Sequence, residues 1–565
     1  MKKYLNLTIL ILFLIILLGA FLRFYKLGEI PAGLYLDEAG QGYSAYSILK
    51  TGKDEFGKFF PIVFRSFNDF KTPLYIYLIA PLIPFFDLTK FTVRFPSFFF
   101  SVLTFPVLFF LIKKINTPSD GGRSKAKVSS EVGFALLATF LLAISPWHIL
   151  FGRTNFECNV ALFFMLAGLL SFYYALKKPW LLILSAILFA IAIPAYHSQR
   201  IITPLLLVVL FIRHHRTLIA KSHLRFTISG LIIGLIISLP TLSVMATPGF
   251  LARAGSLNIF SHTGKLPSGF SESCSGLVCT FTNNSLFLSL QEFTSLYLSY
   301  FSPRNIFILG DSGPRSSFPY LATFFLWQFP FYIYGLYILF KDKTLKELRF
   351  VILTLLFISP IPAAITRDPY STIRALPLVI PQIIIVSLGI ITLFNLLKSK
   401  YLKFLSLITF ALLLIYSLLK LHSSVFILNE YYRAREWNYG WEKVSQVIQN
   451  QLDPNLSIIV DNARGEPYSQ LLFFLKFDPV QYQQENFEVP LDEYYTNMDR
   501  NMEKKIGRIT TRSINWEPDL QIEQYLIGDE LAISYQQIER HNLDLIEEVF
   551  YPDGTPAFRI VKTNP

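Results

Sequence analysis

The sequence is short of charge, nearly free of cysteine, and has no glycine-rich nucleotide motif. Charged residues make up 16% of the 565, well under the roughly 25% of an ordinary soluble domain. A single water-soluble globule is therefore excluded. With only Cys158, Cys274 and Cys279, the chain cannot be a disulfide scaffold. Cys274 and Cys279 sit close together in a predicted exterior loop, where a disulfide and a pair of free thiols both stay open. The absence of GxGxxG and of a Walker A pattern excludes the common dinucleotide and P-loop sites. There is no zinc-type spacing of Cys and His and no internal repeat.

What fills the chain instead is apolar. Hydrophobic residues make up 52% and aromatic ones 16%, in runs near the ~20 residues that cross a bilayer. The expected fold class is a polytopic α-helical membrane protein of about 11 transmembrane helices, with a C-terminal soluble α/β domain. Spans are expected near 5–22, 92–112, 133–149, 159–176, 180–196, 201–212, 227–246, 319–340, 350–364, 375–396 and 404–421. Met1-Lys2-Lys3 could open a signal peptide, but the run after it is long and Gly19-Ala20-Phe21 is a poor cleavage site. An uncleaved first span is expected. The piece Leu74 to Phe86, broken by Pro81 and Pro84, is short for a crossing and suits an interfacial or re-entrant helix.

A net charge of +12 raises nucleic acid as a partner, but no basic aromatic module is present. The basic residues cluster between apolar runs: Lys113 to Lys127, Lys177/Lys178, Arg213 to Arg225, Lys341 to Arg349 and Lys398 to Lys403. With Leu74 to Phe86 left out of the count, all these clusters fall on one side, as the positive-inside rule requires. The polar loops 23–91 and 247–318 and everything after about 422 are then exterior. The expected division is 1–421, a membrane-embedded catalytic domain, and 422–565, an extracytoplasmic α/β domain. Within the latter, Trp437 to Gln451 and Pro467 to Phe477 read as helices and Ser457 to Asp461 as a buried strand. Leu545 to Tyr551 and Ala557 to Lys562, flanking Pro552-Asp553-Gly554-Thr555, read as a hairpin. The chain is expected in a bacterial or archaeal plasma membrane, with membrane lipid as its surroundings.

Residues 34 to 96 carry an acidic pair, a lysine and an arginine on one exterior loop. Asp37 and Glu38 precede a predicted helix from Ala39 to Leu49, so Asp37 can be an N-cap, a general base, or both. Glu38 orients its neighbour or meets a cation. Lys71, just before Thr72-Pro73, is either a phosphate ligand or a snorkelling interfacial lysine. Arg94, at the mouth of the second span, is either a lipid anchor or a bidentate phosphate ligand. Three short loops share the expected face: Arg153-Thr154-Asn155-Phe156-Glu157, Tyr196-His197-Ser198-Gln199-Arg200, and Thr366 to Arg374. His197 alone reads as a hydrogen-bonded interfacial residue before it reads as a base.

Asp37-Glu38, then Lys71-Thr72-Pro73-Leu74-Tyr75, then Arg94-Phe95-Pro96, all after one span, resemble the C-type membrane glycosyltransferases. Within them the pattern is similar to the protein O-mannosyltransferase and lipid A aminoarabinose transferase group, glycosyltransferase family 39. The resemblance is best over 1–200 and loose to about 420. It implies inverting transfer of a sugar from a polyprenyl-phosphate donor to an extracytoplasmic acceptor, whether protein, lipid or cell-envelope glycan. Carried over, Asp37 is the catalytic acid/base residue, and Lys71 and Arg94 contact the donor phosphate. Glu157 matches a second acidic position approximately, and Arg374 and Arg200 could add positive charge at the phosphate. Tyr35, Tyr43, His197 and Arg153 are candidate substrate contacts, and the tyrosines alternatively form an interfacial aromatic belt. Lys71-Thr72-Pro73 departs from the commoner Lys-Pro-Pro. No cofactor is required beyond the lipid-linked donor, and a divalent metal on Asp37 and Glu38 stays open. Two other classes compete: a transporter or flippase of lipid-linked sugars, which predicts charges deep in spans, and a non-catalytic membrane scaffold, in which Asp37 is dispensable. An oligosaccharide-transferring relative would carry a WWD-like triplet after the spans, and none is present.

Overall fold

A computed structural model of the protein describes residues 2–67, 69–116, 125–245, 247, 259, 277, 285–367, 369–463, 465–486, 494–495 and 503–565. Cys274 and Cys279 lie outside the described residues. The chain divides into two compact units.

The first unit, Met1–Tyr25, Ser97–Ser243 and Leu251–Ser424, is helical. Among the described residues of the whole chain, 8 helices are long and apolar enough to cross a membrane, including Asn6–Phe24, Lys90–Ile115, Gln199–Leu218 and Lys400–Arg433. Shorter apolar helices, Glu131–Ala143 and Leu181–Ala195, occupy two more of the expected runs. Leu7, Phe13, Leu17 and Phe21 on the first helix, and Phe404, Leu412, Ile415 and Leu419 near the last, are exposed. Water would penalise such continuous apolar faces and hydrocarbon does not, so the molecule is a multi-pass membrane protein. Proline shortens two expected spans. The run 133–149 stops at Ala143 and resumes as the short helix Pro146–Phe151, with Pro146 in its first turn. The run 319–340 becomes α-helical only at Phe329, where Pro330 enters the first turn.

Two features hold this unit together where hydrophobic attraction between helices is weak. Gly335 and Gly389 put helices Phe329–Lys341 and Val379–Leu396 into backbone contact. A Cβ on Gly335 would lie 1.9 Å from the Ile385 carbonyl oxygen, and one on Gly389 would lie 1.9 Å from that of Phe331. The second feature is a pair of buried arginines at helix ends. Arg153 donates to the last carbonyls of the first helix, those of Leu22 (2.9 Å) and Arg23 (3.1 Å). Arg23 donates to the carbonyls of Gly19, Ala143 and Leu142, to Ser101 Oγ and to His148 Nδ1. Arginine only donates, so His148 Nδ1 accepts. Carbonyls that a terminating helix leaves open are thereby satisfied without water.

The second unit comprises Lys26–Pro96, Val244–Phe250 and Val425–Pro565. Its main sheet has six strands, numbered with the small hairpin β1 (Phe64–Ser66) and β2 (Asp69–Lys71): β3 (Ile458–Val460), β4 (Lys504–Ile506), β5 (Ile509–Thr511), β6 (Tyr525–Gly528), β7 (Asp544–Phe550) and β8 (Pro556–Lys562). Their order is β4-β5-β3-β6-β8-β7. The all-apolar β3 is parallel to both its neighbours, as suits a strand buried on both faces. β7 and β8 form the expected hairpin. Helix Trp441–Asn450 turns Trp441, Val444, Val447 and Ile448 inward and Glu442, Lys443 and Gln446 outward, a 3.6-residue period. The core under the sheet also takes Tyr43 and Phe67. The first polar loop therefore belongs with the C-terminal part in one compact unit, a grouping that no local pattern in the sequence announces.

Candidate functional site

The second unit brings Asp37, Glu38, Lys71 and Arg94 together. Helix Leu36–Thr51 begins earlier than its apolar periodicity suggests. Tyr35 is its N-cap, and Glu38, at the third helical position, accepts the Tyr35 backbone N–H at 3.0 Å. Asn438 Oδ1 accepts the Leu36 N–H at 3.2 Å. Asp37 is therefore not the cap. It sits at the second helical position, its carboxylate available for another partner and favoured by the helix dipole. That partner is Lys71, the last residue of β2, whose Nζ lies 2.9 Å from Asp37 Oδ1. The Asp37 side chain is 25% exposed and that of Lys71 is 11% exposed. The ion pair is thus largely shielded, with the Asp37 side open to solvent.

Glu38 and Arg94 lie just behind and are both fully buried. Arg94 Nε donates to Glu38 Oε1 (3.1 Å) and one Nη to Oε2 (3.0 Å). The remaining N–H groups go to the carbonyls of Leu27, Pro31 and Gly33. A guanidinium has five donors, and these five contacts use them all. Arg94 thus has no N–H left for a phosphate. It fastens the loop 27–38 that leads into Asp37, with its guanidinium 5.9 Å from the Trp437 ring centroid. Gly33 is required there, because a Cβ would fall 1.8 Å from the Trp437 carbonyl oxygen.

The two candidate tyrosines are placed differently. Tyr35 packs edge-on against Trp437 at 6.2 Å. Tyr43 has no exposed surface, donates its hydroxyl to the Phe477 carbonyl and meets Tyr482 edge-on. Helical spacing put it on the core face, so it is a packing residue and not a substrate contact. A metal on Asp37 and Glu38 does not fit either. The two carboxylates turn to different cations, and no group of three or more His, Cys, Asp or Glu among the described residues could hold one.

The other candidates belong to the membrane unit. Arg153, buried, donates to carbonyls near the end of the first helix as described. Glu157 is the largely buried N-cap residue of helix Cys158–Ala175. His197 is half-buried against Tyr196, and Arg200 lies in the first turn of helix Gln199–Leu218. Arg374 donates to Thr366 Oγ1 at 3.0 Å. Helix Pro146–Phe151 meets the loop Thr366 to Arg374, since Trp147 Nε1 donates to the Thr372 carbonyl at 2.9 Å. Asp311, which sequence reasoning passed over, accepts the Thr372 N–H and hydroxyl at 2.7 and 2.8 Å.

A second acidic pair was also passed over, although Gly52-Lys53-Asp54-Glu55-Phe56-Gly57 is a charged run between glycines. Asp54 accepts the Tyr494 hydroxyl at 2.5 Å and the N–H groups of Phe56 and Lys58. Glu55 accepts the Tyr468 hydroxyl at 3.4 Å, and its other oxygen is buried without a hydrogen bond. Burial raises the Asp54 carboxyl to about 6, against those hydrogen bonds. Burial, and then the neighbouring Asp54, raise Glu55 to about 8, against Lys504 and Tyr468. In the unfolded chain a glutamate ionises near 4.5, so between about 5 and 8 the folded state holds a proton that the unfolded state has released. Stability is then greatest below that window and falls as pH rises through it, by up to about 1.4 kcal/mol per pH unit for one proton. Melting curves of the purified chain should show this decline, and Glu55→Gln should flatten it. A slope unchanged in the variant would assign the effect to other groups.

No family model matches the chain, and no curated protein matches it. Among solved structures, ArnT from Cupriavidus metallidurans is similar in its apo state and bound to undecaprenyl phosphate. In each case the identity is 11% and the TM-score 0.49, over 100% of this chain and 99% of that one. The archaeal oligosaccharyltransferase AglB from Archaeoglobus fulgidus, in complex with an inhibitory peptide and a dolichol-phosphate, is similar at 12% identity and TM-score 0.48, over 99% of this chain and 74% of that one.

Proposed function

We propose that the chain transfers a sugar from a polyprenyl-phosphate-linked donor to an acceptor hydroxyl or amide outside the cytoplasm, with inversion, and that Asp37 is the general base. The observation that carries this reading is the Asp37–Lys71 pair, a part-exposed carboxylate 2.9 Å from a shielded ammonium. The motifs that resemble the family 39 glycosyltransferases support it, since Asp37 and Lys71 fall on their base and phosphate positions.

The chemistry follows from charge. At rest the Lys71 ammonium pairs with Asp37, and a carboxylate so paired is a weaker base. A donor phosphate competes for the ammonium and frees the carboxylate where an acceptor must bind. The acceptor oxygen or nitrogen then forms its bond to the anomeric carbon, and the bond from that carbon to the phosphate oxygen breaks. The acceptor proton passes to Asp37, and the departing polyprenyl phosphate keeps the electron pair. Lys71 stabilises the charge that grows on that phosphate. Glu38 and Arg94 touch neither reactant in this scheme and hold Asp37 in position.

Lys71→Ala should weaken donor binding by roughly 10–100-fold, the value of one hydrogen bond to a charged group. Lys71→Arg should retain part of it. Equilibrium binding of a polyprenyl-phosphate sugar to detergent-solubilised protein measures both. Unchanged affinity in the alanine variant would reduce Lys71 to a counter-ion for Asp37.

A further inference from the structure

The membrane unit carries a basic cavity that the proposed transfer does not use. It has a volume of about 740 Å³ at the C-terminal end of helix Gln199–Leu218, and Arg213, His214, His215, Arg216, Thr217 and Phe350 line it. One wall is fixed. Arg213 pairs with Glu347 and lies over the Phe350 ring, with 5.6 Å between guanidinium and centroid. His214 packs edge-on against Phe172, Tyr173 and Phe350, with Glu347 3.7 Å from its Nε2. The opposite part is uncommitted. Among the described residues Arg216 has neither an ion pair nor a hydrogen bond, and it is exposed. His215 donates Nδ1–H to the Ile212 carbonyl at 2.9 Å, so Nε2 remains for a ligand. Two arginines against one carboxylate leave the cavity positive.

What lies beside the cavity identifies the ligand. In the preceding turn Val208, Phe211 and Ile212 are 55%, 47% and 64% exposed, an apolar surface that suits acyl chains. The cavity thus stands where the lipid-facing surface of a span gives way to cationic side chains. That is the level at which a phospholipid carries its phosphate. A soluble phosphate compound would satisfy the arginines but not the apolar turn.

We propose that this cavity holds the phosphate of an anionic membrane lipid, whose acyl chains lie along Val208, Phe211 and Ile212. It is a lipid site additional to any donor site, and it does not depend on the glycosyltransferase reading. The test uses the full chain in neutral detergent, titrated with short-chain phosphatidylglycerol and, in parallel, with phosphatidylcholine of the same chain length. Thermal unfolding is the readout. Phosphatidylglycerol should raise the melting temperature saturably and phosphatidylcholine should not. Arg216→Gln, at an exposed position, should weaken the apparent phosphatidylglycerol affinity about fivefold, the value of one basic side chain at a lipid surface. Arg216→Lys should restore most of it. The same stabilisation by both lipids, or an Arg216→Gln protein that binds like the original, would overturn the proposal. Displacement of the lipid by inorganic phosphate at equal concentration would overturn the lipid assignment and give the cavity to a soluble phosphate compound. Arg213 is left unaltered throughout, because its pair with Glu347 holds the wall.

Discussion

Asp37→Asn should lower sugar transfer by roughly 10²–10⁴-fold, the usual worth of a positioned general base, while the melting curve stays near that of the unaltered chain. The stability half of this expectation follows from where the helix starts. Tyr35 is the N-cap and Glu38 takes the Tyr35 N–H, so Asp37 carries no capping bond that asparagine would have to replace. The substitution does remove the charge facing Lys71. Lys71 is then free for the donor phosphate, so donor affinity should hold or improve even as turnover collapses. This split separates a base from a binding residue, because loss of uniform binding would raise KM and leave kcat alone. Turnover with a radiolabelled polyprenyl-phosphate sugar, beside a binding isotherm, reads both parts. Full turnover in the asparagine variant would end the role of Asp37 and move the search for a base to Glu157.

The contrast between Asp37 and Tyr43 shows what the sequence could and could not convey. Apolar runs near the length of a bilayer and clustered lysines made the membrane class legible, since hydrocarbon punishes every polar group placed in it. Asp37 and Lys71 were legible as candidates because charges on a loop beside an apolar run need partners, and in the structure they partner each other. The sequence could not say which of two plausible cations does which task. Arg94 and Lys71 both stand beside apolar runs in the sequence and both suit a phosphate. In the structure the five donors of Arg94 go to Glu38 and three carbonyls, which favours its use as a fastening. Tyr43 failed for a related reason. Its hydroxyl invites a functional reading, but the helix period buries it among Val444, Leu471 and Tyr482, hundreds of residues away in sequence. Asp54 and Glu55 escaped notice because their partners, Tyr494 and Tyr468, are equally remote. Contacts of that separation leave no local trace.

If Arg94 is a fastening and not a phosphate ligand, Arg94→Met should cost about 3–5 kcal/mol of stability, the penalty for breaking a buried ion pair. Both side chains are fully buried, so the variant strands the Glu38 carboxylate in a low-dielectric site. The carbonyls of Leu27, Pro31 and Gly33 lose their donor as well. Glu38→Gln should also cost stability, because the buried Arg94 guanidinium loses its counter-charge, but less than Arg94→Met, since Arg94 keeps the carbonyls of Leu27, Pro31 and Gly33. Its transfer activity should fall less than that of Asp37→Asn, since the carboxylate that takes the proton is intact. The double variant Arg94→Met/Glu38→Leu should recover part of the loss seen in Arg94→Met, as no stranded charge remains, although the three carbonyls stay unserved. That non-additivity, measured by denaturant unfolding in detergent, is the signature of a coupled pair. Donor affinity of each variant, measured on whatever fraction stays folded, completes the experiment. An Arg94→Met protein that melts like the original yet has lost the donor would refute the fastening role. The guanidinium would then have to leave Glu38 and the loop carbonyls to reach the phosphate.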